Sequence, residues 1–171
     1  IMSTKTLKLI ITSKKNLQAK YGNKFSAIEK LFKELIKSDK IKCLTTQVVY
    51  IDDDASAKTA GMGKAMQVTE KNCKAAFDMI YKKSQPAYMV IFGAHDIFPF
   101  QTLKNSLHTK ADSDDTDPTI PSDLPSACDT PYNTIPSVFT DPVPVVGRSP
   151  DVRGSPGIVY VTKSIEKIPQ T

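Results

Sequence analysis

Three short apolar runs set apart by stretches of helical period restrict this chain more than any other feature. Thr6–Thr12, Cys43–Ile51 and Ala87–Phe92 read as strands, and the last is wholly apolar. A strand without polar alternation is buried on both faces, which places Ala87–Phe92 at the centre of a sheet. Between the first two runs, Ile28, Leu31, Phe32, Leu35 and Ile36 recur at spacings of three and four within Ser26–Ser38. That is one face of an amphipathic helix, and Ser26 followed by Glu29 reads as a capping box. Between the second and third, Cys73, Ala76, Phe77 and Ile80 mark a helix over Thr69–Ser84, capped by Thr69 and stopped before Pro86. Helical connections of this length join parallel strands through right-handed crossovers. The expectation is an α/β fold: a three-layer α/β/α, Rossmann-like domain with a mostly parallel sheet.

The second half has a different character. Ten of the twelve prolines lie between residues 99 and 156, which excludes a long helix there. Residues 101–142 read as one long Pro/Asp-rich loop within a single domain spanning 1–171. Ala55–Gln67 also reads as loop, and its Gly61-Met62-Gly63-Lys64 lacks the Gly-Lys-Ser/Thr ending of a phosphate loop. Val143–Val146 is expected as a short strand despite Pro144, which places the proline at a strand edge or start. Asp151–Ser155 reads as a turn. A final amphipathic helix then starts at Pro156 and carries Ile158, Val161, Ile165 and Ile168. No strand follows that helix, so the reading expects a sheet completed elsewhere. Ile1 ahead of Met2 reads as a residue left by cloning.

Composition narrows the function classes. With 40% hydrophobic and 24% charged residues, 171 residues can build a real core. No apolar run approaches the length of a membrane span, and no export signal opens the chain, so a cytoplasmic location is the default. Cys43, Cys73 and Cys128 are odd in number and widely spaced, and only His95 and His108 accompany them. Neither a disulfide framework nor a Cys/His zinc site fits, and no cofactor is expected. The net charge of +5 is concentrated as lysines in residues 1–83. That half could attract nucleic acid, but no basic recognition helix or RNA-binding aromatic signature accompanies it, so a solvated surface is the reading preferred. The acids Asp112, Asp114, Asp115 and Asp117 could offer oxygens to calcium. They lack the glycine and the terminal glutamate of an EF-hand, which favours a solvated loop.

Three stretches carry a resemblance: Tyr88–Pro99 with its Gly93-Ala-His-Asp96 turn, Pro121-Ser-Asp-Leu-Pro125, and Pro144-Val-Val-Gly-Arg148. In this order they resemble the N-terminal subdomain of gingipain-like cysteine peptidases of the caspase-fold clan. Two departures stand out: Ala94-His95 replaces an acidic residue after Gly93, and Ser126 replaces an aromatic one. The resemblance implies a cysteine endopeptidase whose Cys and His each follow an apolar strand in a C-terminal catalytic part, beyond the Gly-Arg strand and its helix. It therefore assigns this chain no dyad. The implied partners are the remainder of the peptidase fold and a peptide or protein substrate.

Within the chain, His95 and Cys128 are the only candidates for a dyad. Pro121–Pro125 cannot be the apolar strand that should present Cys128, and Asp115, Asp123 and Asp129 would raise its thiol pKa if close. Four residues remain as cleft-loop or substrate contacts. Asp96 could bind a cation or orient a loop, but a turn closed by Pro99 is preferred. Ser122 and Asp123 could hold the loop over the strand ends, contact substrate, or simply make a turn. Arg148 could pair with Asp123 or Asp96, a reading preferred over a plain surface arginine. A non-catalytic binding or regulatory module is the alternative reading. A nucleotide enzyme ranks last, because Ser13-Lys14-Lys15-Asn16 offers no glycine-rich turn after the first strand.

Overall fold

The computed structural model describes residues 6–108, 116–152, 154 and 157–166. Its main sheet holds β1 (Thr6–Thr12), β2 (Leu44–Tyr50), β3 (Tyr88–Phe92) and β6 (Val145–Ser149) in the order β2-β1-β3-β6, all parallel. The strand order reverses between β1 and β3. That is the doubly wound, Rossmann-like three-layer arrangement the patterning predicts.

Alternation along the buried strands sorts their side chains between two cores. Leu9, Ile11, Met89 and Ile91 join Cys73, Ala76, Phe77 and Ile80 of α4 (Glu70–Ser84) on one face. Ile10, Val90 and Phe92 face the other way, onto Ile28, Phe32 and Leu35 of α2 (Phe25–Ile41) and Val161 and Ile165 of α6 (Ile158–Glu166). Each fully buried large aliphatic contributes about 1.5–3 kcal/mol, so two such layers carry the fold. One buried residue in β1 is not apolar. Lys8 meets Asp39 of α2, and Thr46 also donates to that carboxylate.

Several boundaries differ from the sequence reading. A helix, α1 (Lys14–Tyr21), precedes α2 and buries only Leu17 and Tyr21, too sparse a pattern to detect. A short 3-10 turn over Gly22–Lys24 leads straight into α2. Ser26 therefore lies inside the helix, its hydroxyl donating to the Asn23 carbonyl, and no capping box forms. Asp53 accepts from the Ser56 amide and starts α3 (Asp54–Thr59) in a stretch read as loop. Thr69 caps α4 as expected, accepting from the Asn72 amide.

The long loop over 101–142 is more ordered than its prolines suggest. β4 (Gln101–Lys104) and β5 (Thr119–Ser122) form an antiparallel pair, with Thr102 opposite Pro121. Proline cannot donate to a ladder, and here it costs no bond to Thr102. The Thr102 amide and hydroxyl both donate to Glu70 at the start of α4 instead. A short helix, α5 (Leu124–Ala127), follows and is tied to α4 by Lys74, which donates to the Cys128 carbonyl. β6 starts directly after Pro144, so the proline stands outside the ladder. Pro156 and Ile168 lie outside the described residues, as do Asp112, Asp114 and Asp115.

Candidate functional site

In doubly wound sheets ligands gather outside the carboxyl ends of the strands. Here the ends of β1 and β2 meet at the start of α1. Ser13 caps α1 by accepting from the Asn16 amide, and its own hydroxyl donates to Asp52 at 2.7 Å. The buried Asp52 carboxylate also accepts from the amides of Lys14 and Lys15, at 2.8 and 2.9 Å. A helix N-terminus of this kind often receives a phosphate. In this protein a carboxylate of the next strand's turn already fills that place. Beside it, Lys14 pairs with Asp53 and holds that carboxyl below its usual range. An open pocket of about 370 Å³ borders the same turn, lined by Lys15, Asn16, Asp52, Met66 and Gln67 among others.

The ends of β3 and β6 are closed in the same manner. The chain leaves β3 through Gly93 at φ +114°, where an added Cβ would stand 2.5 Å from the Ile97 side chain. Only glycine fits both that conformation and that approach. The next amide, Ala94, donates to Asp151 at 2.6 Å. Asp151 is buried and also takes the Tyr21 hydroxyl and the Lys20 ammonium. Burial, and then the hydrogen bond to Asp151, push the Tyr21 phenol far above its ordinary pKa. Lys20 continues to Asp96 at 2.9 Å and to the Val152 carbonyl at 2.7 Å. Burial raises Asp96, but the Gly154 amide and Lys20 outweigh it, leaving its carboxyl below the usual range.

Arg148 forms the second clamp. Its Nε and Nη2 donate to the two oxygens of Asp123, at 2.7 and 2.6 Å. Its Nη1 donates to the carbonyls of Gly93 and Phe98, at 2.6 and 2.8 Å. The guanidinium also stacks on Phe100, with its carbon 3.9 Å from the ring centroid. A planar fork with several donors suits this bidentate and stacked position, which an ammonium could not fill.

No protein-family model, curated protein or solved structure matches this chain.

The candidate residues therefore separate by environment. Arg148 pairs with Asp123 and not with Asp96, which is bound to Lys20 instead. Ser122 accepts from the Leu124 amide, a local turn, while Asp123 holds its loop against the β6 end. His95 is exposed, stacks on Phe100, and its Nδ1 accepts from the Phe100 amide. Cys128 is 2% exposed and packs with Leu103 and Phe139 beside α4. Burial raises its thiol pKa, and among the described residues no hydrogen bond joins it to His95. Among those residues, too, no group of three or more His, Cys, Asp or Glu is placed to hold a metal ion. No described helix is long and apolar enough to cross a membrane. Lys20, Tyr21, Asp52 and Asp151 escaped the sequence reading, because α1 was not legible, Asp52 opens a run of three aspartates that reads as a strand end, and Asp151 stands alone in a turn.

Cysteine reactivity follows from the same geometry. Cys43 is exposed, whereas burial pushes the Cys73 thiol up to about 12. Thiolate is the reactive species. Brief iodoacetamide treatment of the native protein is expected to add one group, at Cys43, with all three modified after unfolding. Intact-mass and peptide spectrometry read the result; native labelling of Cys128 faster than Cys43 would restore it as a nucleophile.

Proposed function

We propose that this chain is the N-terminal, non-catalytic part of a caspase/gingipain-like cysteine endopeptidase. It supplies half of the sheet and the loops flanking the cleft, while the Cys and His come from a C-terminal catalytic part outside these residues. One observation carries the reading. The three stretches on which the resemblance rests converge on a single side chain: Arg148 of the third binds Gly93 and Phe98 of the first and Asp123 of the second.

The edge of the sheet supports the same reading. Among the described residues nothing pairs with β6 on the side away from β3. Val143 and Val145 are 59% and 61% exposed there, and Leu124 is exposed beside them. Isolated edge strands are usually blunted by charge or a bulge. The opposite edge is covered instead, another common protection: Ser56 of α3 accepts from the Tyr50 amide of β2. The catalytic part would extend the sheet from β6.

The test is to read the natural reading frame past Thr171 and express the whole product. A further segment with an apolar strand into His-Gly and another into Ala-Cys, labelled by a peptidyl ketone that alkylates active-site cysteines, is the expected result. Val145→Lys in that protein should cut labelling at least about tenfold by disturbing a sheet contact worth on the order of 1.4 kcal/mol or more. A stop codon at that point selects the second reading, a binding module, which the filling of both strand-end turns by Asp52 and Asp151 favours.

A further inference from the structure

The lysines of the first half are not spread evenly once the chain is folded. On α2, Lys30, Lys33, Lys37 and Lys40 follow one another at steps of three, four and three residues, and all four are exposed. Ile28, Phe32, Leu35 and Asp39 form the buried stripe of the same helix. At 100° per residue the lysines fall on the side opposite that stripe. They therefore form the outer crest of the helix, a single row about 15 Å long from Lys30 to Lys40.

The crest is of one sign. The acids of α2 are Glu29 and Glu34, which lie to either side of the row, and Asp39, which is buried against Lys8. None of the four lysines has an ion pair among the described residues, whereas Lys8, Lys14, Lys20 and Lys74 each meet an aspartate. The other long helix is mixed by comparison. On α4, at 100° per residue, Asp78 falls on the same side as the exposed Lys71 and Lys82 and interrupts them, while Lys74 is buried. Alternating signs suit a face that meets only water; a single-sign row suits an extended anion.

We propose that the α2 crest binds the phosphate backbone of a nucleic-acid duplex, recognising charge and not sequence. The residue types select this partner over others. Lysine is a compact, strongly hydrated point charge without arginine's planar fork, which suits a row of phosphate oxygens. No aromatic side chain stands among the crest residues to stack unpaired bases, which separates it from single-strand binding. No large apolar side chain is interleaved with the lysines to enter a bilayer; Ile41, 85% exposed, stands past the last of them.

The experiment titrates two fluorescent duplexes of unrelated sequence with the full chain across a salt series. Each neutralised phosphate contributes about −0.9 to the slope of log K against log salt, so four contacts give about −3.6, alike for both duplexes. Lys33→Gln with Lys37→Gln should bring the slope to about −1.8. Lys71→Gln with Lys82→Gln on α4 should leave it unchanged. These side chains are exposed, and unaltered circular dichroism melts confirm that the variants fold. Absence of binding at the lowest salt, an equal loss in the α4 variant, preference for one duplex sequence, or tighter binding to phosphatidylserine vesicles than to duplex would each overturn the proposal.

Discussion

Arg148→Ala is expected to destabilise the protein by about 3 kcal/mol, which a shift in the urea midpoint would register. The substitution removes every donor that reaches Asp123, Gly93 and Phe98 from β6. Breaking a buried ion pair commonly costs about 3–5 kcal/mol, because the partner charge is left in a poor solvent. The lower end applies here, since the Asp123 side chain is 26% exposed and can recover some water. Circular dichroism is the suitable probe, because the chain has no tryptophan. Arg148→Lys should fall between wild type and alanine: it keeps the charge but cannot serve two carboxylate oxygens and two carbonyls together. In a double-mutant cycle with Asp123→Ala, a coupling below the ~0.5 kcal/mol at which contacting residues part from additivity would show the pair to be incidental.

Asp151→Ala should cost about 3–5 kcal/mol, the range for breaking a buried ion pair. Asp151 has a fully buried side chain and receives three donors from two segments: the Ala94 amide after β3, and the Tyr21 hydroxyl and Lys20 ammonium of α1. Its loss strands the buried Ala94 amide and the Tyr21 hydroxyl, while Lys20 keeps Asp96 and the Val152 carbonyl. Asp151→Asn keeps an acceptor for Ala94 but withdraws the charge that Lys20 neutralises, so it should cost less. The alkaline limb of stability reports on the same cluster. Burial and the bond to Asp151 raise the folded-state pKa of Tyr21, so the folded protein favours the neutral phenol. An unfolded tyrosine ionises near pH 10. The Tyr21 contribution is therefore complete below about pH 10 and declines as pH rises above it. Tyr21→Phe should flatten that decline relative to wild type in paired urea titrations at neutral and alkaline pH. A wild-type limb as shallow as that of the variant would place the Tyr21 hydroxyl in water.

Both effects concern residues of which only part could be read in advance. Arg148 and Asp123 were legible because Gly-Arg and Ser-Asp occur in order with an apolar strand. Asp151 was not, since one aspartate in a Pro/Gly-rich stretch has no period. The helix that supplies Lys20 and Tyr21 was missed for a related reason. Its two buried residues, Leu17 and Tyr21, are one turn apart and give too little signal to separate helix from loop. The β4–β5 pair was hidden by prolines, which lower strand propensity wherever they occur. Pro121 is tolerated because its opposite residue, Thr102, sends its amide to Glu70.

Local chemistry determined the parallel sheet and its two long helices. Runs such as Leu9–Ile11 and Met89–Phe92 must be buried on both faces, and helices of 15 and 17 residues between strands impose parallel pairing. Tertiary structure decided which polar groups meet at the carboxyl edge. Asp52 fills the start of α1, Asp151 reaches Ala94, and Arg148 joins Gly93, Phe98 and Asp123 across 55, 50 and 25 residues. Hydrophobic periodicity is a property of neighbours along the chain, and it survives in the sequence. A charge-assisted bond depends on distance and direction in space, which exist only once the sheet has brought its strand ends together.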